Sequence, residues 1–146
     1  MTPATAEAQA CGVDLGSEAV QTALNVQPQA LPGTPWNRDP SNFWGNFDPC
    51  ATLSVAITTI EGATGSSPDV AMLFNRGIYV GPATPTPHGF TSFNPAQTTD
   101  DTVALSYKTP GSCNACSDGT NTTVRYQWQE LGPGELGHVV QLDPLP

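Results

Sequence analysis

Residues 50–81, CATLSVAITTIEGATGSSPDVAMLFNRGIYVG, hold three short apolar runs separated by turn residues. This stretch constrains the fold more than any other part of the chain. Leu53, Val55 and Ile57 alternate with Ser54, Ala56 and Thr58, the two-residue period of a half-buried strand. Gly62, Gly65 and Pro68 then break the pattern. Val70, Met72 and Phe74 form a second alternating run, and Asn75-Arg76-Gly77 is a hairpin signal ahead of Ile78-Tyr79-Val80. Consecutive strands with short turns pair antiparallel, because parallel pairing needs a long crossover. The stretch carries no catalytic signature.

The same patterns continue downstream. Phe90–Phe93 is a weak strand, Thr102–Lys108 and Thr122–Glu130 are clear ones, and Leu136–Leu142 closes the set. Upstream, Ser17 is placed to cap a short helix, with Glu18 in its first turn. Val20, Ala23 and Leu24 share one face, and Pro28 ends it. Residues 28–49 then form a long Pro/Asn/Asp-rich loop containing Trp36, Phe43, Trp44 and Phe47. With 146 residues the chain has the length of one domain. The expected fold is α+β: an antiparallel meander sheet of about six or seven short strands, one N-terminal helix and a long aromatic-rich loop. Residues 1–10 read as a disordered segment and 11–146 as the domain.

The formal net charge is −9, and Lys108, Arg38, Arg76 and Arg125 are the only lysine and arginines. Phosphate backbones and anionic membrane surfaces need clustered cations, so nucleic acid is excluded as a partner and anionic membranes are disfavoured. No apolar run is long enough to span a bilayer. No signal peptide is visible after Met1, which reads as a start residue on a trimmed mature chain. Cys11, in Ala-Gln-Ala-Cys-Gly, has the look of a lipidation site but lacks the apolar stretch before it.

Cys11, Cys50, Cys113 and Cys116 are the only cysteines. An even count in a lysine-poor, turn-rich β chain points to an oxidising compartment. Of the three pairings, Cys11–Cys50 with Cys113–Cys116 is favoured. In the chain-entropy model the first closes a loop worth roughly 4 kcal/mol and the second about 2 kcal/mol. Cys113-x-x-Cys116 sits in a Gly/Ser/Asn loop rather than at a helix N-terminus, which favours a structural staple over a redox pair. A zinc site has only one CxxC knuckle to draw on.

Other candidate chemistry is thin. Ser66-Ser67-Pro68 lacks a nucleophile elbow, and the glycines at 62 and 65 lack a P-loop lysine. Asp39-Pro-Ser41-Asn42 and Asp100-Asp101 fail the EF-hand pattern. The two histidines, His88 and His138, are the available bases for a hydrolase, the alternative to a binding module. No catalytic residue, metal site or cofactor is assigned. Trp36, Phe43, Trp44 and Phe47 are the candidate binding residues, since exposed rings in a polar loop stack on ligands. The bland alternative is that they fold back onto the sheet.

Several motifs resemble the LppP/LprE lipoprotein family of actinobacteria. They are Cys50-Ala51-Thr52-Leu53-Ser54, Ala63-Thr64-Gly65-Ser66-Ser67-Pro68 and Leu73-Phe74-Asn75-Arg76-Gly77-Ile78-Tyr79-Val80-Gly81. Cys11-Gly12-Val13-Asp14-Leu15, Trp36, Asp100-Asp101-Thr102-Val103 and Val124-Arg125-Tyr126-Gln127-Trp128 extend the likeness over most of residues 11–129. The resemblance implies an exported, extracytoplasmic cell-envelope protein, lipid-anchored or secreted. It carries over no catalytic residue. Membrane contact would run only through a lipid anchor outside this sequence. The expected partner is an envelope component or another protein. Two features depart from the family pattern: the lipobox is missing, and Cys113-Asn114-Ala115-Cys116 is not a family hallmark.

Overall fold

The computed structural model describes residues 10–133 and 136–146. The expectation of disorder over residues 1–10 falls, except for Ala10, outside the described residues. Helix α1 spans Glu18–Asn25, and the Ser17 hydroxyl caps it by accepting the Ala19 N–H at 3.2 Å. Nine strands follow: β1 (Trp44–Gly45), β2 (Ser54–Thr59), β3 (Pro68–Asn75), β4 (Ile78–Pro82), β5 (His88–Gly89), β6 (Thr91–Phe93), β7 (Thr102–Thr109), β8 (Thr120–Gln129) and β9 (His138–Gln141). The α+β class and the antiparallel order are those expected, with the strands divided between two sheets. One has the order β1-β2-β3-β4, with β5 also pairing β3, and the other has the order β6-β7-β8-β9.

The layering follows from the side-chain alternation of β2 and β3. Val55, Ile57, Ala71 and Leu73 point to one face and pack on Val103, Leu105, Tyr107, Val124 and Tyr126 of the second sheet. Ala56, Val70, Met72 and Phe74 point to the other, where α1 and the 28–49 loop cover them with Val20, Ala23, Leu24, Trp36, Phe43 and Phe47. The first sheet is thus a middle layer with a core on each side. Its central strands are buried on both faces, not half-buried as their alternation implied. The polar alternates stay inside because they are satisfied there. The Ser54 hydroxyl accepts the Asp48 N–H at 3.1 Å, and the Thr58 hydroxyl donates to the Asn37 carbonyl at 2.8 Å.

Two local devices set the edges. Gly45 has φ +116°, and a Cβ there would strike the Val55 carbonyl oxygen, so only glycine lets β1 lie this close to β2. The β3–β4 turn places Arg76 (φ 47°) and Gly77 (φ 83°) in the left-handed region, as a tight two-residue hairpin requires. On one side of the sandwich the indole N–H of Trp44 donates to the Thr91 carbonyl at 3.2 Å, linking β1 to β6. On the other side lie the outer edges of β4 and β9, which no strand pairs among the described residues.

Candidate functional site

The four loop aromatics do not form a binding face. Trp36 (5% exposed), Phe43 (7%) and Phe47 (0%) are core residues, and Trp44 is half-buried against the inter-sheet core. The reasons are local. Trp36 pairs in a β-bridge with Ile60 and donates its indole N–H to the Pro28 carbonyl at 3.1 Å. Phe47 meets Phe74 edge-on at 4.7 Å. A β-sheet with apolar residues on both faces needs two covers, and the loop supplies one of them. This corrects the expectation that Trp36, Phe43, Trp44 and Phe47 bind a ligand as exposed rings.

His88 and His138 lie apart. His138 opens β9 and is exposed. His88 sits on β5 directly opposite Asp69 of β3, its ring 4.7 Å from that of Tyr107. Tyr107 in turn shares a 2.8 Å hydrogen bond with Tyr126 between the sheets. His88 Nδ1 lies 2.9 Å from the Gly89 carbonyl, so in the neutral ring it is the donor there. The Thr91 hydroxyl is committed to the His88 backbone carbonyl at 2.7 Å. Among the described residues neither histidine hydrogen-bonds a serine, cysteine or carboxylate side chain. Ser67 instead accepts the Thr64 N–H at 2.8 Å and shapes its turn. No group of three or more His, Cys, Asp or Glu among the described residues is placed to hold a metal ion.

Asp69 is the buried carboxylate of this region, 9% exposed, and accepts the Thr91 N–H at 3.1 Å. Burial pushes its carboxyl above the usual value of 3.8; the Thr91 N–H, the Thr59 hydroxyl and the charge of His88 oppose this. A carboxyl with a raised folded-state pKa favours folding at acid pH. That contribution is lost as pH rises through the folded value. Asp69→Asn keeps an acceptor for Thr91 but removes the titration. The variant is expected to gain stability relative to the native chain between pH 4 and pH 7, read as urea midpoints at both pH values. The carboxylates held low by hydrogen bonds and charge, such as Asp143 beside Arg125 at about 2, are common to both proteins and cancel. Identical pH dependence in the two chains would contradict the assignment.

The open side of the sandwich carries a groove of about 390 Å³, lined by Asn75, Ile78, Val80, Trp128, Leu136 and His138 with their neighbours. Ile78 is 69% and Leu136 87% exposed. Tyr79 turns inward and donates no surface to the groove; its hydroxyl accepts from Gln27 of the segment after α1 at 2.7 Å. The groove therefore takes the alternate residues of β4. Gly137 packs so closely on the Trp128 indole that a Cβ there would collide with the ring. The Trp128 indole nitrogen is buried and has no acceptor among the described residues. At one end Arg76 and Glu130 form an exposed ion pair at 3.3 Å across the two sheets. Sequence reading missed this site because its walls come from segments about fifty residues apart.

Both disulfides join the favoured partners, Cys11 to Cys50 and Cys113 to Cys116. The Cys11 sulfur is thereby engaged and is not available for a lipid.

Residues 45–130 match the family model described as LppP/LprE lipoprotein. A protein of Mycobacterium leprae named lipoprotein LprE is 35% identical over 119 residues, which cover 81% of this chain and 55% of that protein. Proteins of the same name from Mycobacterium bovis and Mycobacterium tuberculosis are 30% identical over 129 residues, covering 88% of this chain and 59% of theirs. The chain thus spans a little over half the length of these relatives. No solved structure matches it.

Proposed function

The chain belongs to the LppP/LprE lipoprotein family, and from this we propose that it is a non-enzymatic binding module of the cell envelope. It works outside the cytoplasm, held by a lipid anchor. It grips an apolar segment of a partner protein in the groove between β4 and β9. The observation that carries this reading is the groove itself: a contiguous apolar opening on a chain that is otherwise strongly acidic. Its walls end in the outer edges of β4 and β9, whose backbone groups suit an added extended segment. The hydrolase alternative has no comparable support, since His88 and His138 are not set beside a nucleophile.

The apolar dye 8-anilinonaphthalene-1-sulfonate tests the site on the folded protein. The native chain is expected to raise its fluorescence, and Ile78→Asp to weaken dye affinity by about tenfold, the loss for one desolvated apolar side chain. The near-UV circular dichroism should stay native, because Ile78 is largely exposed. Equal dye binding by the two chains would remove the groove from consideration. Turnover of an aryl ester that vanishes in His88→Gln would restore the enzymatic alternative.

A further inference from the structure

The hairpin joining β7 to β8 ends in the loop 110–119, which carries Cys113 and Cys116. Cys113, Asn114 and Ala115 are exposed, and Cys116 is half-buried. No residue of this loop belongs to either core cluster. Contacts that do not involve sulfur hold its shape. The Asp118 carboxylate accepts the Ser112 N–H through both oxygens, at 3.1 and 3.0 Å. The Lys108 ammonium donates to the Asn114 carbonyl. The Cys116 N–H donates to the Cys113 carbonyl at 3.2 Å, and Thr109 pairs with Thr120 at the base. The loop thus has its own framework apart from the sulfur–sulfur bond, and the cores do not rest on it.

We propose that Cys113–Cys116 is a thiol-exchange site, opened on the folded protein by an external thiol and closed by an external disulfide. The external thiolate attacks Sγ of Cys113, the more exposed of the two cysteines. A bond forms between these two sulfurs as the Cys113–Cys116 bond breaks, and Cys116 leaves as a thiolate that takes a proton from water. A second external thiol then attacks the first one's sulfur and releases Cys113. Two external thiols are oxidised to one disulfide, and the loop gains two electrons and two protons. The reverse sequence reduces an external disulfide to two thiols and re-forms the Cys113–Cys116 bond. This chemistry requires an accessible disulfide and a leaving thiolate, not a thiol of low pKa in the resting loop. Lys108, the chain's single lysine, places a cation on the same loop, at the Asn114 carbonyl. Asp118, whose negative charge opposes that thiolate, is turned onto the Ser112 N–H, which it accepts through both oxygens. Cys11 and Cys50 are exposed as well; what sets the Cys113–Cys116 pair apart is a loop that keeps its own framework and lies outside both cores.

The test exposes the full chain to reduced glutathione without denaturant, quenches with iodoacetamide and reads labelled peptides by mass. Cys113 and Cys116 are expected to label at least about tenfold faster than Cys11 and Cys50, with the near-UV circular dichroism unchanged. With oxidised glutathione, Cys116→Ser is expected to accumulate a glutathione adduct on Cys113. The proposal is overturned if the native pair labels only once the protein unfolds, or if Cys113 in that variant stays a free thiol. Should the variant fail to fold, the labelling rates of the native chain decide the matter.

Discussion

Phe47→Ala is expected to cost ~3–5 kcal/mol of folding stability and to lower Tm by roughly 10 °C or more. Phe47 lies in an irregular loop yet has no exposed surface. Its ring meets Phe74 edge-on at 4.7 Å, and its carbonyl accepts the Asp14 N–H at 2.8 Å, tying in the segment before α1. Truncation leaves a cavity between the middle sheet and its cover, and neighbours fixed by strand pairing cannot collapse into it. Urea denaturation followed by circular dichroism measures the loss. A loss under about 1 kcal/mol would mean that the loop rests on the sheet without being part of its core. The result also separates cover from binding face, since a ring kept for a ligand costs little stability when removed.

The second large effect is that of Cys11→Ser with Cys50→Ser. Removing this bond, with its sequence separation of 39, is expected to lower stability by roughly 4 kcal/mol in the chain-entropy model. Helix α1 has 8 residues, too few to persist alone in water, and its Val20, Ala23 and Leu24 fill the outer core. The bond keeps this helix and the aromatic loop close to β2 even in the unfolded chain. The change should therefore appear as a lower urea midpoint with an unaltered native spectrum. A loss of less than about 1 kcal/mol would show that the covering layer folds onto the sheet without help from the bond.

The helix and the strands of the 50–81 stretch were legible because each is written locally. Ser17 caps, Pro28 stops, and Val70, Met72 and Phe74 alternate up to a two-residue turn. Alternation tells which residues share a face but not what lies against it. Ala56, Ala71 and Leu73 fill the second faces of β2 and β3, so a pattern read as half-buried belongs to a middle layer. The division into two sheets was hidden for the same reason. The aromatic loop was ambiguous at the level of chemistry: Trp36, Phe43 and Phe47 look alike in sequence whether they turn in or out. The groove had only a trace in the sequence, since Ile78 and Val80 alternate with Tyr79, while Trp128 and Leu136 arrive from the far end of the chain. The Asp69–His88 pair depends on the register of β3 with β5, which no local signal sets.

The Cys11–Cys50 bond has a mechanical consequence. Cys50 sits beside the β3–β4 turn, where the Arg76 N–H donates to the Ala51 carbonyl at 2.9 Å and a Cβ on Gly77 would crowd Pro49. A pull applied to the chain ahead of Cys11 passes through the sulfurs into Cys50 and on to β2. It bypasses residues 12–49 altogether. The helix and the aromatic loop, the parts that tension would peel away first, lie off the load path. The force falls on the antiparallel pairing of β2 with β3, in series with the covalent clamp.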